Sequence, residues 1–294
     1  MGSYREIDRF TRHNSHNVHL PQGDVLPLVY DSPHSGLNYP ADFLYRTELG
    51  QTLLRSPEDA HIEALYAMAV NSGATLIDAN FPRAYIDVNR RVGDIDPTMI
   101  KGEWPYPLDQ TNNSKTGAGL FWKLVQKVHQ IYPEAIDVNN LAARVENCYQ
   151  PYHQSLKQYL DKYHQEFGAV WHMDCHSCQS FSLDSEGQPT KMRPEIILGN
   201  RFGQTSSDEF LQVVKSTFES QGYEVIANTM FPGAELVTRY GKPEDNRHSL
   251  QIEIRRDLYM DDKTHEKNER FDRMRRDCAL VVDSVAEYVR SQIK

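Results

Sequence analysis

The sequence predicts an α/β protein with a mixed, mostly parallel central sheet and helices on both faces, organised as a single domain. Two observations carry this. Short apolar runs at 25–30, 74–79, 84–88, 169–174, 195–199, 223–227 and 249–255 have strand length, and segments of helical periodicity lie between several of them. Three of these runs end in polar motifs: Asp31-Ser-Pro-His34-Ser-Gly36, Asp87-Val-Asn89-Arg90 and Trp171-His-Met-Asp-Cys-His176-Ser177. Strand ends in an open α/β sheet converge on one crevice, where ligands bind.

In chain order, residues 1–24 form an N-terminal arm with His13, His16 and His19 in a polar setting, expected to be solvated or loosely docked. The domain proper then runs over 25–294. A helix is predicted over 58–71, where Ile62, Leu65, Tyr66, Ala69 and Val70 share one face, and Ser56-Pro57-Glu58-Asp59 supplies a cap, a first-turn proline and early acids. Further helices are predicted at 119–131, 134–166, 207–221 and 264–291, the second of them interrupted near Pro151, which removes an internal hydrogen bond. The long polar stretches at 91–118 and 177–194 have the character of functional lids.

The net charge of −9 and the pI near 5.7 offer no electrostatic case for nucleic-acid binding. No apolar run approaches the length of a membrane span, the first residues lack an apolar signal core, and a cytoplasmic location is expected. Cys175-His-Ser-Cys178 fits a C-x-x-C pattern but has no second pair to complete a zinc knuckle. Two ordinary thiols flanking a functional histidine are expected instead. The oligomeric state is open.

The chemistry gathers at the run ends. His34 follows a strand, between Pro33, which fixes the chain's approach, and Gly36, which permits a sharp turn; an imidazole there suits zinc. His176 stands in the same relation to the run at 169–174, and Asp174, two residues earlier on the same side, is placed to orient it. His172 has the same parity but sits deeper and reads as a buried, hydrogen-bonded histidine. A catalytic zinc needs a third protein ligand; Asp59 and Glu58 are the acidic candidates, and His61 is a further donor more suited to packing. Arg83, Asp87, Asn89 and Arg90 form a compact polar cluster in which Asn89 and Arg90 can hold a substrate carboxylate. In Leu250-Gln-Ile-Glu-Ile254 the apolar residues share one face, so Glu253 points to the other and can serve as general base to a zinc-bound water. Arg239 is a further candidate anion contact in a loop. Together these residue types indicate metal-dependent hydrolysis of an anionic substrate.

Between residues 25 and 262 the chain resembles the N-formylglutamate amidohydrolase family. The resemblance rests on PHSG at 33–36, Glu-Asp-Ala-His-Ile around Asp59, Arg83 with Asp-Val-Asn-Arg at 87–90, Asp-Cys-His-Ser at 174–177, Leu-Gly at 198–199, Thr-Arg-Tyr-Gly at 238–241, Gln-Ile-Glu at 251–253 and Leu-Tyr-Met at 258–260. It implies a phosphorylase/hydrolase-like, zinc-carboxypeptidase-like fold related to aspartoacylase-type deacylases. It also implies zinc, or another divalent metal, on His34, Asp59 and His176, with Glu253 as base and Asn89, Arg90 and nearby Arg83 on the substrate. The implied substrate is a small anionic N-acyl amino acid, foremost N-formyl-L-glutamate, in histidine degradation. Those zinc-enzyme relatives take their second ligand from a glutamate three residues after the first histidine; here that position is Leu37, and Asp59 is the replacement. Rival expectations are a zinc deacylase or carboxypeptidase-like enzyme acting on another N-acyl amino acid or peptide, and a non-catalytic metabolite-binding relative.

Overall fold

The computed structural model describes residues 14–293, so His13 of the N-terminal arm lies outside the described residues. Seven strands form the main sheet: β1 (His16–His19), β2 (Leu28–Ser32), β3 (Thr75–Ala79), β4 (Val170–Cys178), β5 (Ile196–Gly199), β6 (Val225–Ala227) and β7 (Arg247–Arg255). Their spatial order is β1-β3-β2-β4-β7-β5-β6. The β3–β2, β2–β4, β4–β7 and β5–β6 pairs are parallel, whereas β1 and β5 run antiparallel to β3 and β7. The mixed, mostly parallel sheet follows the sequence prediction.

The helices that flank the sheet and the site include α1 (Ile62–Leu65), α2 (Val138–Arg144), α3 (Gln150–Phe167), α4 (Asp208–Ser220), α5 (Glu235–Tyr240) and α6 (Phe271–Gln292). They cover both faces of the sheet. Leu28, Tyr30, Trp171, Met173 and Ile252 pack with α1, α4 and α6 in one apolar cluster; Val29, Ile77 and Val170 pack with α2 and α3 in another. Because side chains alternate along a strand, His172, Asp174 and His176 of β4 all face the α3 side. The register sets Asp31 opposite Asp174, and Gln251 and Glu253 of β7 opposite Asp174 and His176. A polar ladder thus crosses three adjacent central strands on that face and rises toward their C-terminal ends.

Four local expectations are corrected. Residues 84–88 form turns, not a strand: Ala84, Tyr85, Ile86 and Val88 are buried, but Asp87 N–H donates to Leu120 O rather than to a ladder. Burial alone produced the apolar run. Residues 119–131 are not helical; Leu124–Val125 and His129–Gln130 pair as a hairpin whose turn places Gln126 and Lys127 at φ 48° and 68°. The helix expected from residue 58 begins at Ile62, because His61 adopts φ 69° and Asp59 N–H donates to His34 O at 3.0 Å. Finally, residues 16–19 pair with β3 instead of lying loose, tied by Asn17 and His19 side chains to the Asp78 carboxylate at 2.7 and 2.5 Å. The interruption before α3 is a π-turn at Val145–Tyr149, just ahead of Pro151.

Candidate active site

Two loops and a strand deliver the central groups. His34 lies two residues beyond β2, Asp59 in the turn before α1, and His176 near the end of β4. His34 and Asp59 are fully buried and His176 is almost so. His34 Nδ1 lies 3.1 Å from His176 Nδ1, and Asp59 Oδ2 lies 3.2 and 3.1 Å from these same two nitrogens. The far side of each ring faces a carboxylate: His34 Nε2 is 2.7 Å from Asp87 Oδ1, and His176 Nε2 is 2.6 Å from Asp174 Oδ1. Asn89 Nδ2 also borders His176 Nε2, at 3.1 Å, so that a carboxylate and an amide both face this nitrogen.

With the proton of each ring on Nε2, both Nδ1 lone pairs and one Asp59 oxygen would aim at a single point. Three acceptors this close repel unless a cation or proton lies among them. Donors held at roughly 2.0–2.1 Å around a tetrahedral metal lie about 3.3–3.4 Å apart, close to the spacings here. The donor set, two imidazoles and a carboxylate, fits a divalent transition metal, and among the described residues His34, Asp59 and His176 form a group placed closely enough to hold one. The other oxygen of Asp59 accepts from Ser177 Oγ at 3.0 Å and Arg256 Nη2 at 3.2 Å. Burial opposes the Asp59 carboxylate charge, yet the bonds to His176 and His34 outweigh it and hold its pKa well below the usual range. Glu58, the other acidic candidate, turns away to Tyr39 Oη and to Arg55 Nε at 2.8 Å, and burial pushes its pKa up to about 7. His61 also turns away, its Nε2 2.9 Å from His265 O.

A cavity of about 580 Å³ opens over this centre and is lined by Arg83, Asn89, Arg90, His176 and Glu253, among others. Glu253 is buried beside His176 across the β4–β7 register, and Gln251 Nε2 donates to its Oε1 at 2.9 Å. Burial raises its pKa to about 7, with the Asp59 charge adding to the shift and His176 opposing it. Arg83 lies over the Trp122 ring and donates from Nε to Asp87 at 2.9 Å. Arg90 donates Nε and Nη1 to the carbonyls of Ala118 and Asn89, which leaves Nη2 free of such a carbonyl. Asn89 Oδ1 accepts from Leu236 N–H at 2.8 Å, which fixes the direction of its amide. Arg239 is not brought to this cavity: it pairs with Glu235 on α5 and donates to Tyr149 Oη at 2.9 Å.

With this arrangement in view, the comparison with known families is decisive: the family model for N-formylglutamate amidohydrolase matches residues 26–260. The chain belongs to that family. Among its relatives, the N-formylglutamate deformylase of Pseudomonas putida is 28% identical over 81% of this chain and 83% of the relative. The N-formylglutamate deformylase of Pseudomonas aeruginosa is 26% identical over 81% of this chain and 84% of its own. A crystal structure of an N-formylglutamate amidohydrolase from Ralstonia eutropha JMP134 superposes with a TM-score of 0.89 at 38% identity, covering 95% of this chain and all of that one.

Beyond the residues expected from sequence, this member of the N-formylglutamate amidohydrolase family brings Arg256, Arg193 and Gln251 to the cavity. Arg256 follows β7 and grips Asp59, Ser177 Oγ and the Ser56 carbonyl. Its place directly after the run at 249–255 was a readable signal for it; Arg193 sits in a loop and had none. The four cysteines are free and buried, and burial pushes the Cys178 thiol up to about 12 and Cys175 well above its usual value. Neither thiol of the C-x-x-C pattern is suited to thiolate chemistry. No helix among the described residues is long and apolar enough to cross a membrane.

Proposed function

We propose that this protein is a metal-dependent amidohydrolase that cleaves N-formyl-L-glutamate to formate and L-glutamate. The observation that carries the reading is the convergence of three electron-pair donors, His34 Nδ1, His176 Nδ1 and Asp59 Oδ2, at the floor of an arginine-lined cavity. Zinc is the metal this donor set suits best. Bound there, it supplies Lewis acidity and lowers the pKa of a coordinated water. The names of the relatives support the substrate.

The chain's own groups supply the remaining steps. Asn89 and Arg90 hold the substrate's α-carboxylate, and Arg83 offers a guanidinium to the negative charge that develops on the carbonyl oxygen during attack. Glu253 accepts a proton from the attacking water at its carboxylate. The new C–O bond forms, the C–N bond breaks, and Glu253 returns the proton to the departing nitrogen. Asp174 and Asp87 keep both histidines in the tautomer that leaves Nδ1 free. The test is hydrolysis of N-formyl-L-glutamate by the purified protein before and after chelation, followed by zinc add-back. Loss on chelation with recovery on zinc supports the reading; turnover untouched by exhaustive chelation rejects it.

A further inference from the structure

Four arginines line the cavity: Arg83, Arg90, Arg193 and Arg256. Three of them have carboxylate neighbours. Arg83 donates to Asp87 at 2.9 Å, Arg90 lies 3.9 Å from Asp87, and Arg256 is 3.2 Å from Asp59. Among the described residues, no carboxylate lies within 4.0 Å of Arg193. Its Nε is buried without a hydrogen-bond partner, and its Nη1 donates to the Gln179 carbonyl at 3.1 Å. The Phe231 ring lies 5.5 Å from the guanidinium carbon.

The backbone of Arg193 is anchored from both sides. Its N–H donates to Ser180 O at 2.9 Å, and its carbonyl accepts from Arg255 Nη1 at 2.7 Å. Position in the sheet matters too. β5 runs antiparallel, with Ile196 opposite Ile254, so residues just before β5 emerge at the end where β4 and β7 finish. Arg193 therefore reaches the site from the β5 flank. Arg83, Asn89 and Arg90 follow β3 and reach it from the other flank, with β2, β4 and β7 between. A half-buried guanidinium without a protein counter-ion is poorly compensated, and a planar fork of this kind pairs well with a carboxylate.

We propose that Arg193 is a specificity-determining residue that receives a second carboxylate, the one on the substrate's side chain. This rests on the proposed function above, in which Asn89 and Arg90 take the α-carboxylate. The enzyme then selects N-acylated dicarboxylic amino acids because the two anionic ends are held from opposite flanks of the metal centre. A neutral side chain leaves Arg193 as unpaired as it is here.

The test compares Arg193→Gln and Arg193→Lys with the wild-type holoenzyme on N-formyl-L-glutamate and its neutral isostere N-formyl-L-glutamine. Truncating one partner of a desolvated charge pair lowers kcat/KM for the glutamate substrate by about 100-fold. The glutamine substrate should change by less than about threefold, because it never had the charge to pair. Arg193→Lys should retain part of the preference, and thermal unfolding establishes that both variants fold. Calorimetric binding of L-glutamate against L-glutamine supplies a second readout that needs no turnover. An unchanged glutamate-to-glutamine ratio in both readouts overturns the role of Arg193, and equal loss on both substrates assigns it to structure alone. Failure of the wild-type enzyme to hydrolyse N-formyl-L-glutamate rejects the activity instead, while the binding ratio still decides the fate of Arg193.

Discussion

His34 and His176 present their Nδ1 atoms to one another at 3.1 Å, while the opposite nitrogen of each ring meets its own carboxylate, Asp87 at 2.7 Å and Asp174 at 2.6 Å. His34 thereby meets a carboxylate from a different segment, and His176 one from its own strand. Removing either ring leaves too few donors for a tightly held metal. His176→Ala is expected to lose its metal and at least about 1,000-fold in kcat/KM, since chemistry that depends on the metal goes with it. Elemental analysis beside a turnover assay checks this; a variant that keeps stoichiometric metal contradicts the ligand assignment.

The supporting carboxylates should act on metal affinity more than on chemistry. Asp174→Asn preserves shape but removes the charge that lies 2.6 Å from His176 Nε2. Metal affinity should fall by about 10–100-fold, read by competition with a chelator, with a smaller change in turnover at saturating metal. Unaltered affinity would show that Asp174 does not set the tautomer.

Glu253→Gln keeps the side-chain volume and touches none of the three ligands. Metal content should remain stoichiometric while kcat falls by about 100- to 10,000-fold, the usual contribution of a positioned base. Near-normal turnover in that variant removes the base assignment.

The pH profile provides an independent check on the same residue. Burial raises the Glu253 pKa to about 7, and only the deprotonated form can accept a proton. Activity is therefore expected to be present above that value and lost as pH falls through it. A bound cation favours the charged form and moves this limb downward. kcat/KM measured between about pH 5 and 8 should show a single acidic limb. A flat profile through that range argues against a buried carboxylate base.

Gly36 links stability to the His34–Asp59–His176 cluster. A Cβ added there would run into the Phe81 carbonyl and the Asn80 backbone. Gly36→Ala is expected to destabilise the fold by about 1–3 kcal/mol, seen as a lower denaturant midpoint at constant slope. Because this turn also carries His34, the variant should release metal more readily to a chelator.

The α/β class, most strands, α3, α4 and α6 were legible because their signals are local. Apolar runs of strand length and 3.6-residue periodicity survive in any tertiary setting. The errors have local causes as well. Residues 84–88 are apolar because they fill the core beneath α3, and 119–131 carry a helix-like pattern around a hairpin whose two positive-φ residues, Gln126 and Lys127, no pattern announces. At the site, His34 and His176 were readable from the strand ends that carry them.

Sequence by itself determined the kinds of group available: two histidines and several carboxylates placed at strand ends, with an Asn-Arg pair to meet an anion. It left the third donor open between neighbours, Asp59 and Glu58. Tertiary structure puts Asp59 rather than Glu58 beside the histidines, because the left-handed turn at His61 and the Asp59 N–H bond to His34 O aim one carboxylate at the histidines and the other at Arg55 and Tyr39. It also excluded Arg239 from the cavity and brought in Arg193 and Arg256. Strand order and register set which distant segments meet, and no pattern within a single segment encodes that.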